Sequence, residues 1–125
     1  MKREENGQAL VEFALVAPML FLILFGIVQF GIAFMHSVAL TDAVRAGARK
    51  AAVSRSAADP TQATKSAVLG AANDLDPSKV SINVTSTWQS GGNVTVDATY
   101  PYEINLLGIV VASGDLHSTT TERVE

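Results

Sequence analysis

The chain has no cysteine among its 125 residues. Disulfides, thiolate metal ligands and cysteine nucleophiles are therefore excluded, while the compartment stays open. A basic excess is also missing: the formal net charge is −3 and the pI is about 5.3, so no nucleic-acid partner is expected. The 2 histidines, His36 and His117, have no acid or second histidine at ligand spacing. The sequence thus offers no metal site and no cofactor site. Gly91-Gly92 falls between two alternating stretches rather than between a strand and a helix, so it is not a phosphate loop. Two glycosylation triplets, Asn83-Val84-Thr85 and Asn93-Val94-Thr95, mean little without a eukaryotic secretory route. Repeats and low-complexity stretches are lacking too. With no converging catalytic groups, the chain is not expected to be an enzyme.

Charge is missing most conspicuously from Phe13 to Met35, where no Asp, Glu, Lys or Arg occurs. As a helix rising ~1.5 Å per residue this stretch covers ~34 Å, enough to cross a hydrocarbon layer of ~30 Å. Pro18 removes a backbone donor and crowds the carbonyl of Ala14, which predicts a kink. Two rival readings are weaker. A buried helix of a soluble protein would be shorter. A secretory signal has an apolar core of ~7–15 residues and a small-residue cleavage site, and Ser37-Val38-Ala39 is a poor one. Just before the run stands one acid, Glu12. A charge at the centre of a membrane helix costs ~2.5–3.5 kcal/mol on insertion scales, so an acid so near the span calls for a partner.

Beyond Met35 the helical spacing continues. Ala39, Ala43, Ala46, Gly47 and Lys50 recur at three and four residues and predict a narrow face that lets another helix approach closely. Arg45 and Arg49 lie on another face, with Asp42 placed to offset Arg45. They form either a cationic collar for lipid phosphates and acidic neighbours or a solvated helix face. Ser56 to Pro60 breaks the pattern. Asp59-Pro60 then starts a second helix, capped by the carboxylate and entered by a residue needing no donor. This helix is expected from Pro60 to about Asn73, with Ala67, Ala71 and Leu75 inward, ended by Asp76-Pro77.

After Pro77 the period becomes two. Val80, Ile82, Val84 and Trp88 share one face, opposite Ser81, Asn83, Thr85 and Thr87. After a turn at Ser90-Gly91-Gly92-Asn93, Val94, Val96, Ala98, Tyr100 and Tyr102 alternate with Thr95, Asp97 and Thr99. This predicts an antiparallel hairpin with one wet face. A third strand is expected from Asp115 to Val124, and the apolar stretch Leu106 to Ala112 is expected to be core or a sheet-to-helix packing segment. The fold class is α+β: a long N-terminal transmembrane helix, a second helix and a small three-stranded antiparallel sheet. The domains are a leader at 1–7, an apolar helix with its extension at 8–55, spanning at about 13–35, and a globular part at 56–125.

Three stretches carry a resemblance: Gly7-Gln8-Ala9-Leu10-Val11-Glu12-Phe13-Ala14-Leu15-Val16-Ala17-Pro18, Phe25-Gly26-Ile27-Val28-Gln29-Phe30-Gly31 and Ala43-Val44-Arg45-Ala46-Gly47-Ala48-Arg49. Together they resemble the prepilins, and specifically the TadE-like minor pilins, or pseudopilins, of tight-adherence (Flp) pili. The strands from Val94 to Tyr102 and the ending Glu122 to Glu125 are similar more loosely. The resemblance implies that a prepilin peptidase cuts between Gly7 and Gln8 on the cytoplasmic side of the bacterial inner membrane. Glu12 then becomes the fifth residue of the mature chain and, with Phe13, belongs to the assembly register. The leader departs from the pattern by carrying Glu4 and Glu5. Phe13 stands where major Flp pilins have tyrosine, and the globular part is longer than theirs; both favour a minor subunit. Implied partners are other pilin subunits, the peptidase, the inner-membrane assembly platform of a type IV-like secretion and adhesion system, and membrane lipid. A bitopic, unprocessed membrane-anchored binding module is the alternative. The lysines and arginines flanking the span, Arg45, Arg49, Lys50 and Arg55 on the C-terminal side, would put that side in the cytoplasm, whereas the resemblance implies an extracytoplasmic domain.

Overall fold

A computed structural model describes residues 2–125. Its elements follow in the order α1 (Lys2–Ala52), α2 (Pro60–Ala71), a 3-10 turn (Pro77–Lys79), β1 (Ser81–Ser86), β2 (Asn93–Leu106) and β3 (Ile109–Arg123). The fold is α+β, with a three-stranded antiparallel sheet in the order β1-β2-β3. α1 is a single helix of 51 residues that passes through Pro18 without ending. At ~1.5 Å per residue it is a rod of ~76 Å.

The core lies at the C-terminal end of that rod. Leu40, Ala43, Val44, Gly47, Ala48 and Ala51 turn one stripe of α1 inward against α2 and the sheet. The stripe is broader than the small-residue face read from the spacing. Ala43 and Gly47 belong to it, but Lys50 is exposed, and Leu40 and Val44 supply its bulk. Each fully buried Val or Leu contributes roughly 1.5–3 kcal/mol. Gly47 sits where a β-carbon would run into Val68 of α2, so the lack of a side chain sets how closely the helices cross.

α2 begins as expected. Asp59 is its N-cap, with Oδ1 accepting from the Gln62 N–H at 3.0 Å. Its inward face is displaced from the predicted one: Thr64, Val68, Ala72 and Leu75 are buried, Ala67 is half-buried and Ala71 is exposed. The helix stops at Ala71, which frees Ala72 and Leu75 to close the core from a turn rather than from helical positions. Thr64 is buried because its hydroxyl donates to the Pro60 carbonyl at 2.8 Å, leaving no unmet polar group.

The sheet keeps its predicted phase. Val94, Val96, Ala98 and Tyr100 of β2 are buried, and Ile82, Val84 and Trp88 pack against them. The outer face is a polar ladder. The Thr95 and Thr121 hydroxyls lie 3.0 Å apart, Thr119 donates to Asp97 at 3.0 Å, and His117 Nε2 lies 2.8 Å from Asp97 Oδ1. Val124 is tied back by Gly91 N–H to its carbonyl and by its own N–H to the Gly92 carbonyl, both at 2.8 Å. The next N–H, of Glu125, donates to the Ala52 carbonyl at 2.9 Å and so satisfies an orphan acceptor at the end of α1.

Of the two expectations for Leu106 to Ala112, core is corrected and packing towards the helix stands. None of these residues is buried in the core, while Ala112 faces Phe30 and Phe34 and Leu107 lies beside Phe21 and Phe25 of α1. β2 continues to Leu106 and β3 begins at Ile109, so these residues form the tip of a long hairpin. β1 pairs with β2 only between Val94 and Thr99. From Tyr100 onward the hairpin is therefore a two-stranded arm with a free edge. Pro101 falls where that edge begins, which is where a strand admits a residue without a donor.

Candidate functional site

The apolar length of α1 has no cover. From Leu10 to Met35 nearly every large side chain is exposed, Phe13 at 69% and Phe21 at 70% among them. It is the one helix among the described residues long and apolar enough to cross a membrane, which fits a membrane-anchored protein. Exposed apolar surface on this scale has to be buried against lipid or other chains.

At its N-terminal end, Gly7, Gln8 and Glu12 are all exposed helical residues. Gln8 Nε2 donates to Glu12 Oε1 at 3.1 Å, so positions 8 and 12 meet on one face, as four-residue spacing dictates. Phe13 and Pro18 are exposed as well. The two arginines singled out by the sequence stay apart from this end. Arg45 and Arg49 are exposed on the part of α1 whose opposite face is core, and Arg49 lines a cleft with Glu122, Arg123 and Glu125. Neither forms an ion pair among the described residues, where His117–Asp97 is the single pair within 4.0 Å.

The two-stranded arm lies back along α1. The His36 and Tyr100 rings meet edge to face with centroids 5.4 Å apart. Below them a cleft of about 520 Å³ separates the arm from the helix, lined by Gln29, Ile32 and His36 on one side and Glu103, Ser113 and Asp115 on the other. Further along, Tyr102, Ile104 and Ala112 face Phe30, Ala33 and Phe34. At the end, Leu107 shares a small apolar pocket with Pro18, Phe21, Leu22 and Phe25. Spacings agree with this course. Seven strand residues from Tyr100 to Leu107 cover ~23 Å, as do the fifteen helix residues from His36 back to Phe21 at ~1.5 Å each.

No group of His, Asp and Glu able to hold a metal occurs among the described residues. Among the described residues, the ionisable groups around the cleft between arm and helix form no pair within 4.0 Å. Sequence reasoning placed Gly7, Gln8, Glu12 and Phe13 together and missed the arm. The available signal was Leu107-Gly108 between two apolar stretches, a turn written with leucine instead of asparagine.

Residues 7–49 match a protein-family model described as TadE-like protein. No curated protein and no solved structure matches the chain.

Proposed function

Starting from an N-terminal segment that is TadE-like over residues 7–49, we propose that the protein is a minor pilin, or pseudopilin, of a Tad-type pilus assembly system. It is made as a prepilin and cut between Gly7 and Gln8. The membrane helix is kept as the spine by which the subunit joins other pilins. The observation that carries the reading is the uncovered apolar length of α1 with Gln8 and Glu12 joined on one face at its start. Cutting before Gln8 creates an ammonium within reach of Glu12, and a paired acid crosses an apolar environment that a lone one does not. Glu12 then acts as a register device, set by the amino group of its own chain or of a neighbour.

In this reading the protein is structural rather than enzymatic. It works as a single-pass protein of the inner membrane with its α+β domain outside the cytoplasm, in contact with the prepilin peptidase, the assembly platform and lipid, and it supports pilus biogenesis and surface attachment. The basic residues that argue for the reverse orientation belong to a folded domain. Arg45, Arg49 and Lys50 project from the helix whose other face is core, and domains translocate largely regardless of charge.

Intact-mass measurement of the protein purified from membranes tests the proposal. A mass beginning at Gln8 is expected, with a Gly7→Leu variant accumulating as the uncut chain. A wild-type mass that retains the leader overturns it in favour of an unprocessed anchor.

A further inference from the structure

The arm ends in a tip that folding alone does not explain. Leu107 and Gly108 form its two-residue turn, both with positive φ, 54° and 88°. That is the geometry in which asparagine and glycine are favoured and leucine is strained. The side chain so placed is 77% exposed, and the neighbours Ile109, Val110 and Val111 are exposed at 69%, 49% and 56%. A soluble hairpin would carry polar residues at all of these positions. Between Glu103 and Asp115 no charged residue occurs. The one polar side chain near the turn, Asn105, is used internally, its Oδ1 accepting from the Gly108 N–H at 2.8 Å.

The tip is also level with a defined part of α1. Glu103, Ser113 and Asp115 of the arm stand opposite Gln29 and Ile32, whereas Leu107 stands opposite Phe21, Leu22 and Phe25. The arm therefore changes from charged to apolar between Glu103/Asp115 and Leu107, beside a helix that is apolar from Phe13 to Met35 apart from Gln29, and its charges set the level at about Gln29. From Gln29 to Leu22 the helix descends ~10 Å, the depth to which amphipathic elements embed at a bilayer surface, ~5–10 Å. Counting ~30 Å of hydrocarbon down the helix from Gln29 reaches Leu10. That sets Glu12 at the inner boundary of the layer rather than in its middle.

The geometry points to a lipid-embedded finger: Leu106 to Val111 inserts into the outer leaflet beside α1, with the water boundary at Gln29, Glu103 and Asp115. The inference rests on the reading of α1 as a membrane helix. Lipid is the occupant because the finger's apolar surface is continuous with that of the helix segment that faces lipid. A shallow depth suits a two-stranded arm, whose free edge could not be satisfied deep in hydrocarbon. The membrane-crossing segment is then centred nearer the N-terminus than 13–35, and the domain is held at two points, which fixes its tilt on the membrane.

The absence of cysteine makes the test direct. Single variants Leu107→Cys, Phe21→Cys and Ser90→Cys of the full chain, each labelled with a polarity-sensitive fluorophore, are reconstituted in phosphatidylethanolamine/phosphatidylglycerol vesicles. Lipids spin-labelled along the acyl chain are used as quenchers, and iodide as the aqueous one. The expected result is lipid quenching at Leu107 within about twofold of that at Phe21, with Ser90 quenched by iodide alone. Quenching at Phe21 without quenching at Leu107 overturns the finger and leaves the membrane helix standing. Absence of lipid quenching at Phe21 overturns the membrane reading itself. A Leu107 probe shielded from both quenchers is covered by protein, a second copy included, and also overturns the finger.

Discussion

Val68 occupies the space that a side chain on Gly47 would need. Every larger residue at 47 must displace Val68 and so disturb the packing of α2 on the core stripe of α1. Overfilling a packed interior costs ~1–3 kcal/mol, against a gain in helix propensity of ~1 kcal/mol for replacing glycine with alanine. Gly47→Ala is expected to lose up to ~2 kcal/mol net. Gly70, on the open side of α2 with nothing near its missing β-carbon, supplies the control: Gly70→Ala gains ~0.5–1 kcal/mol. The chain's 1 tryptophan, Trp88, packs on the core, so its fluorescence during urea unfolding in micelles reads both variants.

Tyr100 joins three parts of the molecule. Its ring meets His36 of α1, its backbone lies in β2, and its hydroxyl accepts from the Asp76 N–H at 3.2 Å. Tyr100→Phe keeps the ring and removes the acceptor. The expected loss is ~0.5–1.5 kcal/mol. Faster hydrogen exchange at Asp76, with the α1 core amides unchanged, would locate the loss in that bond.

Asp76 caps the 3-10 turn. The Ser78 hydroxyl donates to its Oδ1 at 2.7 Å and the Ser78 N–H at 3.0 Å. These two bonds, aided by the charge of Lys79, hold its carboxyl below the ordinary carboxylate value. A depressed folded-state pKa contributes stability above the unfolded pKa that disappears as pH falls through the folded one. Asp76→Asn keeps a capping oxygen without the titration. The stability difference between wild type and Asp76→Asn should be constant at neutral pH and shrink on acidification below the usual carboxylate range. A difference that stays constant down the acid limb would contradict this.

Glu12 is exposed in the isolated chain, so its substitution should leave folding untouched. In the proposed reading its effect belongs to assembly. Glu12→Ala is expected to be cut normally before Gln8, to give the same urea midpoint, and to be recovered with other pilin subunits after in-cell crosslinking at least ~10-fold less, since one unpaired charge in an apolar contact costs several kcal/mol. Normal recovery would remove Glu12 from the register.

What was legible in the residues and what was not divides along physical lines. Alternation from Val80 to Tyr102 reads directly as strand because one face of the sheet is buried and the other wet. The long helix reads from its lack of charge, and Asp59-Pro60 from capping chemistry. The phase of α2 was missed because its alanines are indistinguishable by hydropathy, and because the inward face carries Thr64, a polar residue buried through its bond to the Pro60 carbonyl, beside Val68. The arm was missed for a different reason. Ile104 to Ala112 is apolar on both faces of its strands, which erases the alternation, and a leucine at the turn hides the one local signal. That positions 8 and 12 share a helix face follows from their four-residue spacing; the amide hydrogen bond between their side chains was not anticipated. Nor was the neighbourhood of Leu107 and Phe21, because no local pattern links residues so far apart in the chain.

α1 has no loop between its uncovered half and its core half. A domain on a flexible stalk can turn freely once its anchor is fixed; this one cannot. Whatever angle the helix takes among its neighbours is transmitted to the sheet ~50 Å away. If subunits stack by a repeating rotation of their helices, the Thr95–Thr121 and Asp97–His117 face is carried round by the same rotation. The outward texture of such an assembly would be written by packing at Gln8 and Glu12, at the opposite end of the rod.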